Sequence, residues 1–216
     1  MDKAKEAAGK LAVEHIQDGM KVGLGTGSTV SYFINALIER CRGGLKIEAA
    51  ASSIESLEKA RAGGIPILQE FERLDVTVDG ADEIDGQMRM IKGGGGALLR
   101  EKIIASSSDQ LIVIVDEIKC VKNLGGVKVP LEVLPFGCEA TAHKVKGKGA
   151  FRMDGNKFFV TDNGNYIYDV HFEDLDPESM HRELIDIPGV LETGFFFNLA
   201  TSVIIGYADG SAKEGL

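Results

Sequence analysis

The sequence predicts an α/β protein: a mostly parallel sheet flanked by helices, followed by a second, smaller α/β domain. Three observations carry this reading. Short apolar runs alternate with stretches of helical periodicity from Lys21 to Val115, the pattern of strands joined through crossover helices. The run Leu111-Ile112-Val113-Ile114-Val115 is apolar enough to be buried on both faces, as strands of parallel sheets are. Beyond Gly125-Gly126 the pattern becomes strand-helix-strand-strand-helix-strand, the order of a split-βαβ, ferredoxin-like unit. The expected division is residues 1–127 with about 203–216 for the main domain and 128–202 for the smaller one.

The elements follow in order. Residues 3–17 place Ala7, Leu11, Ala12 and Ile16 on one helical face, and Asp18-Gly19 stops that helix. A strand over 21–24 meets Gly25-Thr26-Gly27-Ser28-Thr29, after which Val30, Phe33, Ile34, Leu37 and Ile38 recur at helical spacing. Residues 47–51 form the next strand, Ser53 caps a helix carrying Ile54, Leu57 and Ala60, and Gly63-Gly64 ends it. Strands are expected at 65–68, 75–78 and 90–91, and a helix from Ala97 to about Ser107 leads into the run at 111–115. In the second part, strands are expected at 127–134, 158–160 and 166–170, and helices at 136–145 and from Asp176-Pro177 through Ile185. Asp162-Asn163-Gly164-Asn165 marks a hairpin turn. Gly147 and Gly149 make 146–157 read as loop. Strands near Val190 and at 203–205 complete the order, and the tail SAKEGL reads as frayed.

Bulk properties remove several function classes. A net charge of −9 argues against nucleic acid, whose phosphates need a basic surface. No apolar run reaches the length of a membrane span, and MDKAKEAAGKLAVEH lacks the apolar core of a secretory signal, so no membrane partner is expected. Cys41, Cys120 and Cys138 are widely spaced without a CxxC pair, which points to a reducing compartment and a cytoplasmic location. The four histidines, His15, His143, His171 and His181, share no metal spacing. The serine pairs lack the GxSxG elbow of hydrolases.

Chemistry concentrates in residues 79–101, DGADEIDGQMRMIKGGGGALLRE. Asp79 and Asp82 stand where a buried strand runs out, Lys92 closes a short apolar segment, and Gly93 to Gly96 bare their N–H groups before a helix. Such a helix start is an anion cradle. Asp79, Asp82 and Glu83 offer oxygens to Mg²⁺ or Ca²⁺, but Lys92 competes for the same place, and no metal is expected. Glu101 falls in the middle of an arc of Ala97, Leu98, Ile104 and Ala105. It is either the rim of an amphipathic face or a carboxylate in a partly desolvated cleft, where burial suits it to act as a general base. Thr26 to Thr29, Asp79 to Asp82 and Asp116 to Lys119 all follow strands, the ends at which ligands of such sheets gather. The turn at 25–29 lacks the third glycine of a dinucleotide fingerprint and a Walker lysine, so a nucleotide is a poor reading.

Taken together, GTGST at 25–29, DGADEID at 79–85 and KGGGGALLREK at 92–102 resemble ribose-5-phosphate isomerase of type A. The likeness extends to Lys119, to Pro130-Leu131-Glu132-Val133 and to Val160-Thr161-Asp162-Asn163-Gly164-Asn165. It implies a Rossmann-like main domain, a homo-oligomer (dimer or tetramer) and cofactor-free interconversion of D-ribose 5-phosphate and D-ribulose 5-phosphate in the pentose phosphate pathway. By the same resemblance Glu101 is the proton-transferring base, and Asp79, Asp82 and Lys92 are the polar groups of ring opening and oxygen stabilisation. Thr26, Gly27, Ser28, Thr29, Gly80, Ala81, Gly93, Gly94, Gly95 and Lys119 are implied contacts to sugar and phosphate. The alternatives are a related sugar-phosphate isomerase or lactonase, and a non-catalytic sugar-phosphate sensor. The sensor would need an output module, and neither a helix-turn-helix nor a basic arm can be read.

Overall fold

The computed structural model describes residues 1–172 and 176–216. They group into two compact units: Met1–Ala81 with Arg100–Cys120 and Asn198–Leu216, and Asp82–Leu99 with Val121–Phe197. The sequence places the division near residue 127; the structure groups 82–99 with the second unit.

The first unit is a six-stranded sheet in the order Ala212–Glu214, Ser202–Gly206, Ser108–Asp116, Leu74–Asp79, Lys21–Leu24, Glu48–Ala51. Every neighbouring pair is parallel except the first, which is antiparallel. In register, Leu24 faces Val78, Val78 faces Ile112, and Ile114 faces Ile204. These residues join Val30, Phe33, Ile34 and Leu37 of helix Ser28–Arg42 in one buried cluster. Helix Asp2–Val13 adds Ala8, Ala12 and Val13 to it. Ser53 caps helix Ile54–Ala62, its Oγ accepting from the Ser56 N–H at 3.2 Å.

Two expectations fail here. Residues 65–68 make one parallel bridge, Ala49 to Ile67, and no strand. Pro66 has no N–H to donate, and the segment lies beside the edge strand, where little else could pair with it. The tail is not frayed over its whole length. Ala212 to Glu214 pair antiparallel with Ile204 to Gly206, and Glu214 meets the His15 ring at 2.9 Å.

The second unit carries an antiparallel sheet in the order Val190–Thr193, Val129–Val133, Tyr166–His171, Lys148–Phe151. Helices Cys138–Lys144 and Pro177–Ile185 complete the split-βαβ order. Residues 146–157 are therefore not loop: Lys148–Phe151 is an edge strand, and Met153–Asp154 turns back onto Lys157–Phe158. Gly149 misled the reading because it serves close approach rather than a turn. A Cβ there would lie 2.4 Å from the Tyr168 ring, so the aromatic packs directly on strand backbone. A short ladder of Glu83–Asp85, Met90–Ile91 and Phe195–Phe196 belongs to the same unit.

Candidate functional site

In the first unit the candidate groups stand at the carboxyl ends of parallel strands. The turn after Lys21–Leu24 is built on Asp79, the last residue of the neighbouring strand. Asp79 is 1 % exposed. Its Oδ1 accepts from the Thr26 N–H at 3.1 Å and the Gly80 N–H at 2.7 Å. Gly25 makes this possible: a Cβ on it would lie 2.0 Å from Asp79 Oδ1. The turn is tied from the other side as well. Ser56 Oγ donates to the Gly25 carbonyl at 2.6 Å, and the Thr26 and Ser52 hydroxyls are 2.7 Å apart. Gly27, at φ 108°, precedes the helix that starts at Ser28. Thr26 and Thr29 are half-buried, Gly27 and Ser28 exposed. N–H groups at a helix start, with hydroxyls beside them, suit an anion.

Lys5 was not singled out from the sequence, yet its Nζ donates to Ser28 Oγ at 2.9 Å. It brings a cation to the hydroxyl turn from helix Asp2–Val13. Helical periodicity marks the apolar face of that helix and is silent on which lysine meets a turn some twenty residues on.

Lys119 ends the short 3₁₀ turn Glu117–Lys119 after strand Ser108–Asp116 and is half-buried. That strand and Lys21–Leu24 flank the Asp79 strand on opposite sides. Lys119 and the hydroxyl turn are thus two strand spacings apart, roughly 10 Å at the backbone, with Asp79 on the strand between. Asp116 is 3 % exposed, and its Oδ1 has no hydrogen-bond partner among the described residues. A further carboxylate therefore stands at this edge. Burial first, then the Asp116 and Glu117 carboxylates, push the Cys120 thiol up from its ordinary value, which disfavours the nucleophilic thiolate.

Glu101 lies in the first turn of helix Leu98–Ser106 and is 3 % exposed. Ala97, Leu98, Ile104 and Ala105 are all buried, whereas Ile103 is exposed. The apolar arc read from the sequence is the buried face, and the carboxylate is on it. A carboxylate so placed is shielded from water, the setting in which a base holds its proton long enough to return it.

In the second unit, Asp82, Lys92 and the glycine run form one constellation. The Asp82 N–H donates to the Ile91 carbonyl at 2.8 Å, and Asp82 Oδ2 accepts from the Gly94 N–H at 2.7 Å. Lys92 is 3 % exposed; its N–H donates to the Gly194 carbonyl at 2.8 Å, and its Nζ lies 5.3 Å from the centre of the Phe196 ring. An aromatic face stabilises the ammonium without neutralising it. Gly93 is buried, while Gly94 and Gly95 are exposed. Arg152, also missed from the sequence, donates to the carbonyls of Gly93 and Gly94. Glu83 is not free for a metal, since its Oε2 accepts from the Gly125 N–H at 2.7 Å. Among the described residues no group of three or more His, Cys, Asp or Glu could hold a metal ion. No described helix is long and apolar enough to cross a membrane.

Comparison with known proteins gives a consistent outcome. Residues 48–210 match the family model of ribose 5-phosphate isomerase A (phosphoriboisomerase A). Ribose-5-phosphate isomerase A of Protochlamydia amoebophila is 52 % identical over 219 residues, covering 98 % of this chain and 94 % of that protein. Among solved structures, ribose 5-phosphate isomerase from Plasmodium falciparum superposes with a TM-score of 0.94 at 38 % identity, covering 100 % of this chain and 98 % of that one. A D-ribose-5-phosphate isomerase in complex with phospho-erythronic acid gives 0.92 at 41 % identity, covering 98 % and 97 %.

Proposed function

This chain belongs to the ribose 5-phosphate isomerase A family, and we propose that it interconverts D-ribose 5-phosphate and D-ribulose 5-phosphate in the pentose phosphate pathway. The observation that carries the chemistry is Glu101, a carboxylate on the buried face of the helix that follows the glycine run. Moving the carbonyl from C1 to C2 requires a base for the C2 proton, stabilisation of the enediolate oxygens, and return of the proton to C1. Glu101 is the base and then the acid. The Lys92 ammonium and the N–H groups of Gly93 and Gly95 stabilise the oxygen that gains charge, a preorganised donor set worth several kcal/mol in a site of low dielectric, while the Gly94 N–H holds Asp82. Asp79 and Asp82, with Gly80 and Ala81 between them, act on sugar hydroxyls. Ring opening of the furanose moves a proton from O1 to O4, and a carboxylate within hydrogen-bond reach can accept and return it.

The phosphate is held by the Thr26–Thr29 turn with Lys5, and by Lys119. Phospho-erythronic acid, bound by a relative, is a sugar acid that shares a phosphate group with ribose 5-phosphate, which supports a phosphate subsite of this kind. The sensing alternative is not favoured, because the relatives are isomerases over nearly the whole chain. A cytoplasmic location is supported by Cys41, Cys120 and Cys138, all free thiols; a homo-oligomer, dimer or tetramer, is supported by family membership.

The test is a coupled assay of ribulose 5-phosphate formed from ribose 5-phosphate, run with and without EDTA. Turnover is expected in both, because Lys92 and backbone amides supply the positive potential a metal would otherwise bring. Absence of product refutes the activity; loss with EDTA that a divalent ion restores refutes the metal-free mechanism.

A further inference from the structure

Consecutive glycines do not hold a conformation by themselves, since glycine loses more freedom on ordering than any other residue. Gly93 and Gly96 both sit at positive φ, at 96° and 80°. Within the run, one turn bond from the Gly96 N–H to the Gly93 carbonyl at 2.9 Å closes the loop; from outside it, Arg152 is placed to fix the peptide groups that follow Gly93 and Gly94. Its Nη1 donates to the Gly93 carbonyl at 3.1 Å and to the Gly94 carbonyl at 2.9 Å. A trans peptide is planar, so the C=O of one residue and the N–H of the next point in opposite directions. The Gly94 N–H, opposed to the first pinned carbonyl, is the one that donates to Asp82 Oδ2 at 2.7 Å. The Gly95 N–H, opposed to the second, is turned away from the guanidinium on an exposed residue.

Arg152 is in turn held from behind. Its Nε and Nη2 fork onto Asp169 at 2.9 and 2.6 Å, the bidentate pairing that fixes a guanidinium plane. Its guanidinium carbon lies 5.7 Å from the centre of the Phe159 ring. Phe159 also abuts the glycine run, since a Cβ on Gly96 would lie 2.4 Å from that ring.

We infer that Arg152, clamped by Asp169, is a positioning residue of the isomerase site: by pinning the Gly93 and Gly94 carbonyls it fixes the Gly94 N–H and, through it, the Asp82 carboxylate. This rests on Asp82 being a substrate-site carboxylate. The guanidinium touches neither the sugar nor Asp82 in this role; it acts through one peptide group. Lysine can replace it only in part, because a single ammonium cannot bond two carbonyls while forking onto Asp169.

The test is a double-mutant cycle in kcat, KM and Tm on ribose 5-phosphate, using wild type, Arg152→Ala, Asp82→Asn and the double variant. Arg152→Lys and Asp169→Asn accompany them. A displacement of about 1 Å in a reacting group lowers rate by about 10²-fold, so Arg152→Ala should lower kcat by roughly 10- to 100-fold. Arg152→Lys should recover part of the loss, and Asp169→Asn should show a smaller loss in the same direction. With Asp82 already neutral, removing Arg152 should lower kcat by less than about threefold, because coupled residues are non-additive. A merely structural arginine would lower Tm and would reduce kcat by the same factor in both backgrounds. That additive outcome, or an Arg152→Ala enzyme with wild-type kcat, overturns the inference while a slow Asp82→Asn keeps the reading of Asp82. A wild-type rate for Asp82→Asn overturns that reading and the inference with it. If Arg152→Ala does not fold, Arg152→Lys and Asp169→Asn carry the same cycle, with the same two outcomes.

Discussion

Gly25→Ala is a one-methyl test of how the Gly25–Thr29 turn and the Asp79 carboxylate are packed. The added Cβ would stand 2.0 Å from Asp79 Oδ1 and 2.2 Å from its Cγ. Ordinary contact begins near 3.5 Å, so the carboxylate or the turn must yield by roughly 1.5 Å. Gly25 is not among the positive-φ glycines, so the backbone accepts alanine and the effect is one of crowding. Overpacking of this kind costs about 1–3 kcal/mol. At about 2–4 °C per kcal/mol for a chain of this size, Tm should fall by roughly 2–12 °C. The same movement breaks the bonds from Thr26 and Gly80 to Oδ1, and a shift of about 1 Å in a positioning group lowers rate by about 10²-fold. Thermal unfolding and the coupled isomerase assay read the two effects separately. Gly86→Ala is the control: nothing lies within 4 Å of its added Cβ, and stability should stay within about 0.5 kcal/mol. A Gly25→Ala enzyme with wild-type Tm and kcat would refute the packing of Asp79 against the turn.

Lys119→Ala should raise KM for ribose 5-phosphate more than it lowers kcat, because a phosphate contact is present in ground and transition states alike; an unchanged KM would remove Lys119 from the phosphate site. Glu132 is fully buried, and its Oε1 accepts from Thr161 Oγ1 at 3.0 Å, Asn163 Nδ2 at 2.9 Å and Asn165 Nδ2 at 2.8 Å. Glu132→Ala takes this acceptor from the buried Thr161 and Asn165 at about 1–3 kcal/mol each, while the exposed Asn163 amide turns to water, so Tm should fall by roughly 4 °C or more. Glu132→Gln keeps an oxygen for them and should be milder. Equal Tm values for the two variants would show that the hairpin does not depend on that oxygen.

The parallel sheet was legible because its strands are short apolar runs between helices with clean periodicity, and Leu111 to Val115 are buried without a break. The candidate carboxylates and Lys92 stand close together in one stretch of sequence, and the arc around Glu101 located the buried face of its helix. What could not be read is whatever depends on two distant segments meeting. Lys5 reaches Ser28 only because two helices pack, and Arg152 reaches Gly93 only because an edge strand passes the glycine run. Strand order is invisible for the same reason: nothing in the sequence says that the Asp79 strand runs between the strands that lead to the Thr26 turn and to Lys119. Gly149 shows the opposite error, a glycine that signals loop by type yet sits in a strand because Tyr168 covers it.

The central claim is that Glu101 carries the proton between C2 and C1, and solvent exchange tests it most directly. Glu101→Gln keeps the shape and hydrogen bonding of the side chain and removes the base, so kcat should fall by about 10²–10⁴-fold, with KM little changed. With ribose 5-phosphate in D₂O, the wild-type enzyme should place deuterium on the carbons of the enediolate, and Glu101→Gln, folded and still binding the sugar phosphate, should place none on the same timescale. Deuterium incorporation by Glu101→Gln at the wild-type rate would contradict the account and move the base to another carboxylate, with Asp79 the first to examine.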